Sequence, residues 1–375
     1  MSFTPYRQLA PTAAVRVSPL CLGTMTFGDK FPERFGEGLS DATAFEILDY
    51  YYDNGGNFID TANTYQEGHS EEVIGKWLKA RGNRDEIVLA TKYSGKYNVN
   101  AKIQVNTIGN SSKSLKLSVE KSLERLQTSY IDLLYVHWWD YTTSIPEVML
   151  ALNDLVKAGK VLYLGVSDSP AWVVSKANEY ARNHGLRQFS VYQGLWNAAI
   201  RDFERDIIPM AASEGLALAP WGTLNQGKFQ TEEGFKAREK KNPGRKNTAS
   251  QRDKDVSKVL EKIAKEKGET IFSIALAYVF HKAPYVFPIV GARNIEHIKG
   301  DLPSLKVRLS EKDIEEIDSA YEFDPGFPHT FLSRSLFFDT KPQGASKPSE
   351  VWLLNSLAEK VDWVEPSKPI EPSDE

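Results

Sequence analysis

Three short apolar runs of this 375-residue chain end in groups that carry or transfer charge. The run 57–60 ends in the carboxylate of Asp60, 87–92 in the amine of Lys92 and 131–137 in the imidazole of His137, while a phenol, Tyr65, follows Asp60 in the same stretch. A carboxylate, a cation, an imidazole and a phenol brought to one place suit general acid–base chemistry. Each also has an ordinary explanation on its own. Asp60 would cap a helix before Thr61, Lys92 would be a solvated strand end, His137 a satisfied histidine beside Trp138 and Trp139, and Tyr65 a surface ring. Their common position at the ends of runs is what sets them apart. A lysine buried there needs a partner, and Asp60 is at hand.

Such a gathering requires a scaffold that aligns strand ends. Runs rich in β-branched and aromatic residues occur at 57–60, 87–92, 131–137, 161–167, 189–193, 216–221 and 285–290, and 15–23 offers an eighth. Helical spacing occupies 41–52, 70–80, 113–126, 145–158, 171–183, 203–213 and 256–267, with Ser70 placed as a cap before Glu71 and Glu72, and Gly159 and Gly185 as stops. Strand–helix alternation predicts a parallel sheet, and eight strands predict an α/β fold of the (β/α)8 TIM-barrel type with its chemistry at the C-terminal strand ends. A doubly wound dinucleotide fold would carry G-x-G-x-x-G after its first strand, whereas Gly36 and Gly38 are followed by Asp41 where the third glycine belongs. One barrel domain over 15–320 is expected, with loops at 95–112 and 230–251. A C-terminal extension, 321–375, carries Pro325, Pro328, Pro342, Pro348, Pro366, Pro369 and Pro372, which discourage regular structure.

Composition narrows the classes. The chain is 41% hydrophobic with a formal net charge of -4, so a large core is available and no electrostatic footprint for nucleic acid covers the whole molecule, although 236–254 is locally basic. The lone Cys21 forms no intrachain disulfide and suggests a reducing, cytoplasmic setting. No stretch approaches the ~20 apolar residues of a membrane span. The six histidines show no metal-binding spacing, so no metal is expected.

The chain resembles the aldo-keto reductase superfamily, in the branch of aryl-alcohol dehydrogenase-like enzymes and potassium-channel β subunits. The likeness rests on L-G-T-M at Leu22, F-I-D-T-A-N-T-Y from Phe58 to Tyr65, A-T-K ending at Lys92, Q-T-S-Y-I-D-L-L-Y-V-H ending at His137, L-G-V-S ending at Ser167, and G-A-R-N at Gly291, and it spans about 21–320. It implies a catalytic tetrad of Asp60, Tyr65, Lys92 and His137. Tyr65 would donate the proton, Lys92 would lower its pKa, Asp60 would hold Lys92, and His137 would orient the substrate carbonyl.

The resemblance also implies NADP (NADPH) bound without a Rossmann fold. Gly23, Thr24, Met25 and Asp60 fall among the matching positions. Ser167 and Gln193 would hold the nicotinamide carboxamide and Trp221 would stack on its ring. Asp168 stands where the family usually has asparagine; a carboxylate accepts from the amide NH2 but donates nothing to its oxygen. From Gly222 to Lys228 the sequence satisfies G-x-x-x-x-G-K, yet Phe229 replaces the serine or threonine of a P-loop. Backbone N–H groups and one lysine still suit a pyrophosphate, which brings in Gly222, Leu224, Gln226 and Lys228. Gly291, Arg293, His297 and Asp301 fall at the adenosine end, where Arg293 would grip a 2′-phosphate. The basic stretch 236–254 would fold over the pyrophosphate or remain a solvated loop.

The leading expectation is an NADPH-dependent reductase of aldehydes or ketones, aromatic ones included, acting on a small-molecule carbonyl substrate. The alternatives are an NADPH-binding regulatory or docking subunit with little turnover, and nucleotide hydrolysis through the G-x-x-x-x-G-K segment.

Overall fold

The computed structural model describes residues 2–30, 38–241, 249–338, 340–358 and 362–372. An antiparallel hairpin, β1 (Arg7–Ala10) and β2 (Ala13–Val17), opens the chain. Eight parallel strands follow: β3 (Cys21–Gly23), β4 (Phe58–Asp60), β5 (Val88–Tyr93), β6 (Ile131–Val136), β7 (Val161–Ser167), β8 (Phe189–Leu195), β9 (Ala217–Trp221) and β10 (Ile289–Gly291). They form one sheet in the order β10-β3-β4-β5-β6-β7-β8-β9. The Phe287 amide donates to the Leu218 carbonyl at 2.8 Å, bringing the two edges together into a nearly closed (β/α)8 barrel.

Two strand expectations shift. The run 15–23 splits, because Pro19 has no amide to donate: its first part joins the hairpin and only Cys21–Gly23 enters the barrel. The run 285–290 contributes β10 only from Ile289, since Tyr285 has φ 54° and Pro288 again removes a donor.

Helices fill the crossovers in chain order: α1 (Asp41–Asp53), α2 (His69–Arg81), α3 (Ser112–Leu126), α4 (Ile145–Lys157), α5 (Ala171–Asn183), α6 (Ile207–Glu214), α7 (Glu232–Lys241), α8 (Gln251–Lys267), α9 (Ile271–Lys282) and α10 (Ile295–Asp301). Ser40, Ser111, Ser144 and Thr270 accept a hydrogen bond from the backbone N–H two or three residues into α1, α3, α4 and α9, and Ser250 with Asp253 makes a reciprocal capping box on α8. Ser70 is not a cap: it lies inside α2 and donates to the carbonyl oxygens of Thr24 and Phe27. The loop expected at 230–251 is helical over α7, and residues 242–248 of it, with that part of the basic stretch 236–254, lie outside the described residues.

The chain divides into two compact units, one of Met1–Gly194, Glu214–Trp221 and Phe287–Leu302 and the other of Leu195–Ser213, Gly222–Val286 and Pro303–Glu375. In the first, Leu9, Ala10, Ala13 and Val17 of the hairpin cluster with Cys21, Phe58, Val88 and Ala217, which begin their strands, so the hairpin covers the N-terminal mouth of the barrel. Chemistry is left to the opposite mouth. In the second, the sides of α9 are buried all round. No helix among the described residues is long and apolar enough to cross a membrane.

Candidate active site

Lys92, the fifth residue of β5, is completely buried, and a buried ammonium must place all three of its protons. It donates to Asp60 Oδ1 at 2.5 Å, to the Thr61 carbonyl at 2.8 Å and to the Tyr65 hydroxyl at 3.0 Å. Burial alone would lower its pKa, but Asp60 and Tyr65 outweigh that and hold it above the ordinary lysine value. The second oxygen of Asp60 accepts from Gln193 Nε2 at 3.0 Å. Parallel pairing makes this possible, since β4 and β5 run side by side in register through Asp60 and Ala90.

Tyr65 differs from expectation in one respect. Lys92 does pull its pKa down, but burial pushes up more strongly and Asp60 and Asp168 add to that, so the net direction is upward and the phenol is held protonated. His137 lies edge-on to the Tyr65 ring, with centroids 5.9 Å apart and an interplanar angle of 79°. Burial, aided by the charge of Lys92, lowers its pKa to about 3, so the imidazole is neutral. Its Nδ1 is buried with no hydrogen-bond partner among the described residues. Nε2 is therefore the nitrogen with which this ring can meet a ligand.

A set of residues that sequence reasoning passed over holds the Tyr65 turn. Gln66 and Glu67 take φ values of 51° and 57°, unusual for residues with side chains. Arg125, from α3, donates through Nη1 to the Asn63 carbonyl at 3.0 Å and through Nη2 to the Tyr97 carbonyl at 2.9 Å. It also pairs with the fully buried Glu71, which accepts from Thr91, the neighbour of Lys92. Gly68, at φ 96°, leaves room for that guanidinium, because a Cβ there would lie 2.1 Å from Arg125 Cζ. Arginine and glutamate on helices look like solvated faces in sequence; the only available signal was Gly68 beside the tyrosine. Gln66 bridges by accepting from the Lys30 amide and donating to the Met25 carbonyl.

Among the cofactor candidates, Ser167 and Gln193 are paired across β7 and β8. The Asp168 amide donates to the Gln193 carbonyl at 3.0 Å, and Asp168 adopts φ 41°. Its carboxylate accepts from Trp221 Nε1 and from Ser167 Oγ, each at 3.3 Å. Burial raises its pKa, with Trp221, Ser167 and Lys92 pulling the other way. Asp60, Gln193, Asp168 and Trp221 thus form one hydrogen-bonded chain. Gly23 and Thr24 are buried at the end of β3, where a Cβ on Gly23 would press on Ile289 at 2.7 Å and Thr24 donates twice to the Asp60 carbonyl; Met25 is partly exposed.

Gly222, Asn225, Gln226 and Gly227 all have positive φ, so the segment that holds Leu224 and Lys228 is a tight turn. Arg293 and His297 sit around the start of α10, where the Arg293 amide donates to His297 Nδ1 at 3.4 Å, and Gly291 is exposed. Asp301 is turned inward, and burial raises its carboxyl pKa to about 8.

Comparison with known proteins supports the same chemistry. The model of the Aldo/keto reductase family matches residues 19–322. The chain is 64% identical over 371 residues to norsolorinic acid reductase B of Dothistroma septosporum, covering 98% of this chain and 94% of that protein. It is 51% identical to norsolorinic acid reductase A of Aspergillus parasiticus, covering 98% and 93%. It is 49% identical to the aryl-alcohol dehydrogenase [NADP(+)] of Phanerodontia chrysosporium, covering 86% and 88%. The chain belongs to the aldo/keto reductase family and is an oxidoreductase that acts on carbonyl compounds.

Proposed function

We propose that the protein reduces an aryl ketone or aldehyde to the alcohol with NADPH, using Tyr65 as the proton donor and Asp60, Lys92 and His137 as its partners. The observation that carries this reading is the buried Lys92 ammonium, with all three protons placed and one of them on the Tyr65 oxygen. The relatives' names supply the substrate class, an aryl alcohol–carbonyl pair or norsolorinic acid.

The residues present fit a nicotinamide nucleotide: Ser167, Asp168 and Gln193 offer polar groups suited to a carboxamide, and the half-exposed indole of Trp221 offers a stacking face beside them. When bound, the nicotinamide supplies the hydride that reaches the carbonyl carbon. Tyr65 transfers its proton to the developing alkoxide, and Lys92, held by Asp60, stabilises the phenolate that remains. His137, neutral, donates a hydrogen bond to the carbonyl oxygen and fixes its direction. Gly23, Thr24 and Met25 line the same mouth. The turn from Gly222 to Lys228, with Leu224 and Gln226, is proposed for the pyrophosphate, and Gly291, Arg293, His297 and Asp301 for the adenosine end.

NADPH consumption over a panel of aryl carbonyls tests the reading. Tyr65→Phe keeps the ring and removes the acid, so kcat should fall roughly 10²-fold or more while the NADPH Kd holds. Retained activity would exclude Tyr65 as the donor. Arg293→Ala should weaken NADPH more than NADH, by about 1.5–3 kcal/mol, because only NADPH carries the 2′-phosphate. Fluorescence titration with both nucleotides decides that point, and equal losses would assign Arg293 elsewhere.

A further inference from the structure

The charges around the tetrad do not balance. Lys92 is the one ammonium, and its three protons are taken by Asp60, Thr61 and Tyr65. Asp168 is a second carboxylate within electrostatic reach of both Lys92 and Tyr65, tied to Asp60 through the Gln193 backbone and side chain. Tyr65 and His137 are neutral. Among these five residues, one negative charge is therefore in excess.

Backbone conformation does not explain that charge. Position 168 has φ 41°, a region that asparagine occupies as readily as aspartate, and an asparagine oxygen could accept from Trp221 Nε1 equally well. Both carboxylate oxygens also accept from neighbouring groups, the bonding of an ionised side chain. What aspartate adds at this place is negative charge beside an indole suited to stacking, so the ligand it matches is a flat ring bearing positive charge.

We propose that Asp168 makes the site discriminate between the two redox forms of its cofactor, favouring the oxidised nicotinamide, whose ring is cationic, over the reduced ring, which is neutral. This rests on the assignment of a nicotinamide cofactor given above. The carboxylate thereby holds NADP+ more tightly relative to NADPH than an asparagine would, and on the protein it shifts the equilibrium toward hydride donation, that is toward carbonyl reduction.

The test is equilibrium binding, independent of turnover. Kd values for NADP+ and NADPH are measured by quenching of protein fluorescence in the wild type, in Asp168→Asn and in Asp168→Ser, with thermal melts confirming that each variant is folded. The attraction between opposite unit charges in a partly screened site predicts a loss of roughly tenfold in NADP+ affinity for both variants, with NADPH changing much less. Equal changes for the two nucleotides, or a selective loss of NADPH, in a protein that binds both would overturn the proposal while leaving the cofactor assignment standing. A wild type that binds neither nucleotide would overturn both.

Discussion

His137 shows how much a single buried side chain constrains this protein. Its pKa falls from the ordinary 6.5 to about 3 because burial and the nearby Lys92 both disfavour the imidazolium. An unfolded chain binds that proton below about pH 6.5, the folded one only near pH 3, so between these values the unfolded state holds more protons. The stability this neutral ring contributes is complete above pH 6.5 and declines as acid is added toward pH 3. In His137→Gln that decline should be shallower: urea unfolding at about pH 7 and about pH 4.5 should show a smaller difference in free energy than in the wild type. Equal differences would mean that the ring does not stay neutral in the folded state. Asp60, Lys92 and His137 stood out in the sequence because each ends an apolar run with a reactive group, whereas Tyr65 came only from the family resemblance. Arg125 and Glu71 did not stand out, since a charged residue on a helix reads as solvated until the fold shows it sealed at Thr91 and the Tyr65 turn.

At the scale of elements, the site depends on how closely β6 and β7 approach. Tyr135 and Gly165 are paired across these strands, and the Tyr135 ring lies over Gly165, where an added Cβ would fall 2.4 Å from Cδ1. Lys92 Nζ stands 5.9 Å from that same ring, so the packing of Tyr135 sets one wall around the ammonium. Gly165→Ala should cost about 1–3 kcal/mol, the usual penalty for overpacking a filled core, and should disturb Lys92 through the displaced ring. Gly159→Ala is the contrast, since nothing lies within 4 Å of a Cβ there and only its φ of 69° resists the change. Chemical denaturation of the two variants, with turnover measured beside it, checks this: the Gly165 change should lower kcat and the Gly159 change should not. The βα alternation that predicted these strands was plain because β-branched runs recur between amphipathic helices. It failed over α9, whose residues are buried on every side and so give no 3.6-residue stripe, and over 15–23, where Pro19 divides what reads as one apolar run.

For the molecule as a whole, the C-terminal extension is the part about which sequence said least, because its prolines exclude long helices without saying what replaces them. Within the second compact unit its first residues are pinned by two arginines. Arg201 and Arg205 hold their guanidinium carbons 5.1 and 5.3 Å from the centroid of the Phe323 ring, and Arg205 donates to the carbonyls of Asp324 and Pro325 at 3.0 and 2.8 Å. Arg201 is itself fixed, donating to Glu204 and to the Asp318 carbonyl, while Tyr278 and Lys282 donate to the two Asp318 oxygens. Burial would raise the Glu204 pKa, but Lys282 and Arg201 reverse this and bring it down to about 2, so the Glu204 carboxylate stays ionised through neutral pH. Phe323 thus joins the extension to a fixed charged scaffold rather than to an apolar core. Two cation–π contacts of this kind are together worth roughly 1–3 kcal/mol, and each kcal/mol moves the Tm by only about 1 °C in a chain of 375 residues, because the entropy of unfolding grows with length. Phe323→Ala should therefore lower the Tm by about 3 °C. Phe327→Ala serves as the control: its ring is 78% exposed, with Phe331 6.4 Å away, and its loss should leave the Tm within about 1 °C. Equal melting of both variants and the wild type would show that the extension is held by something other than the arginine pair.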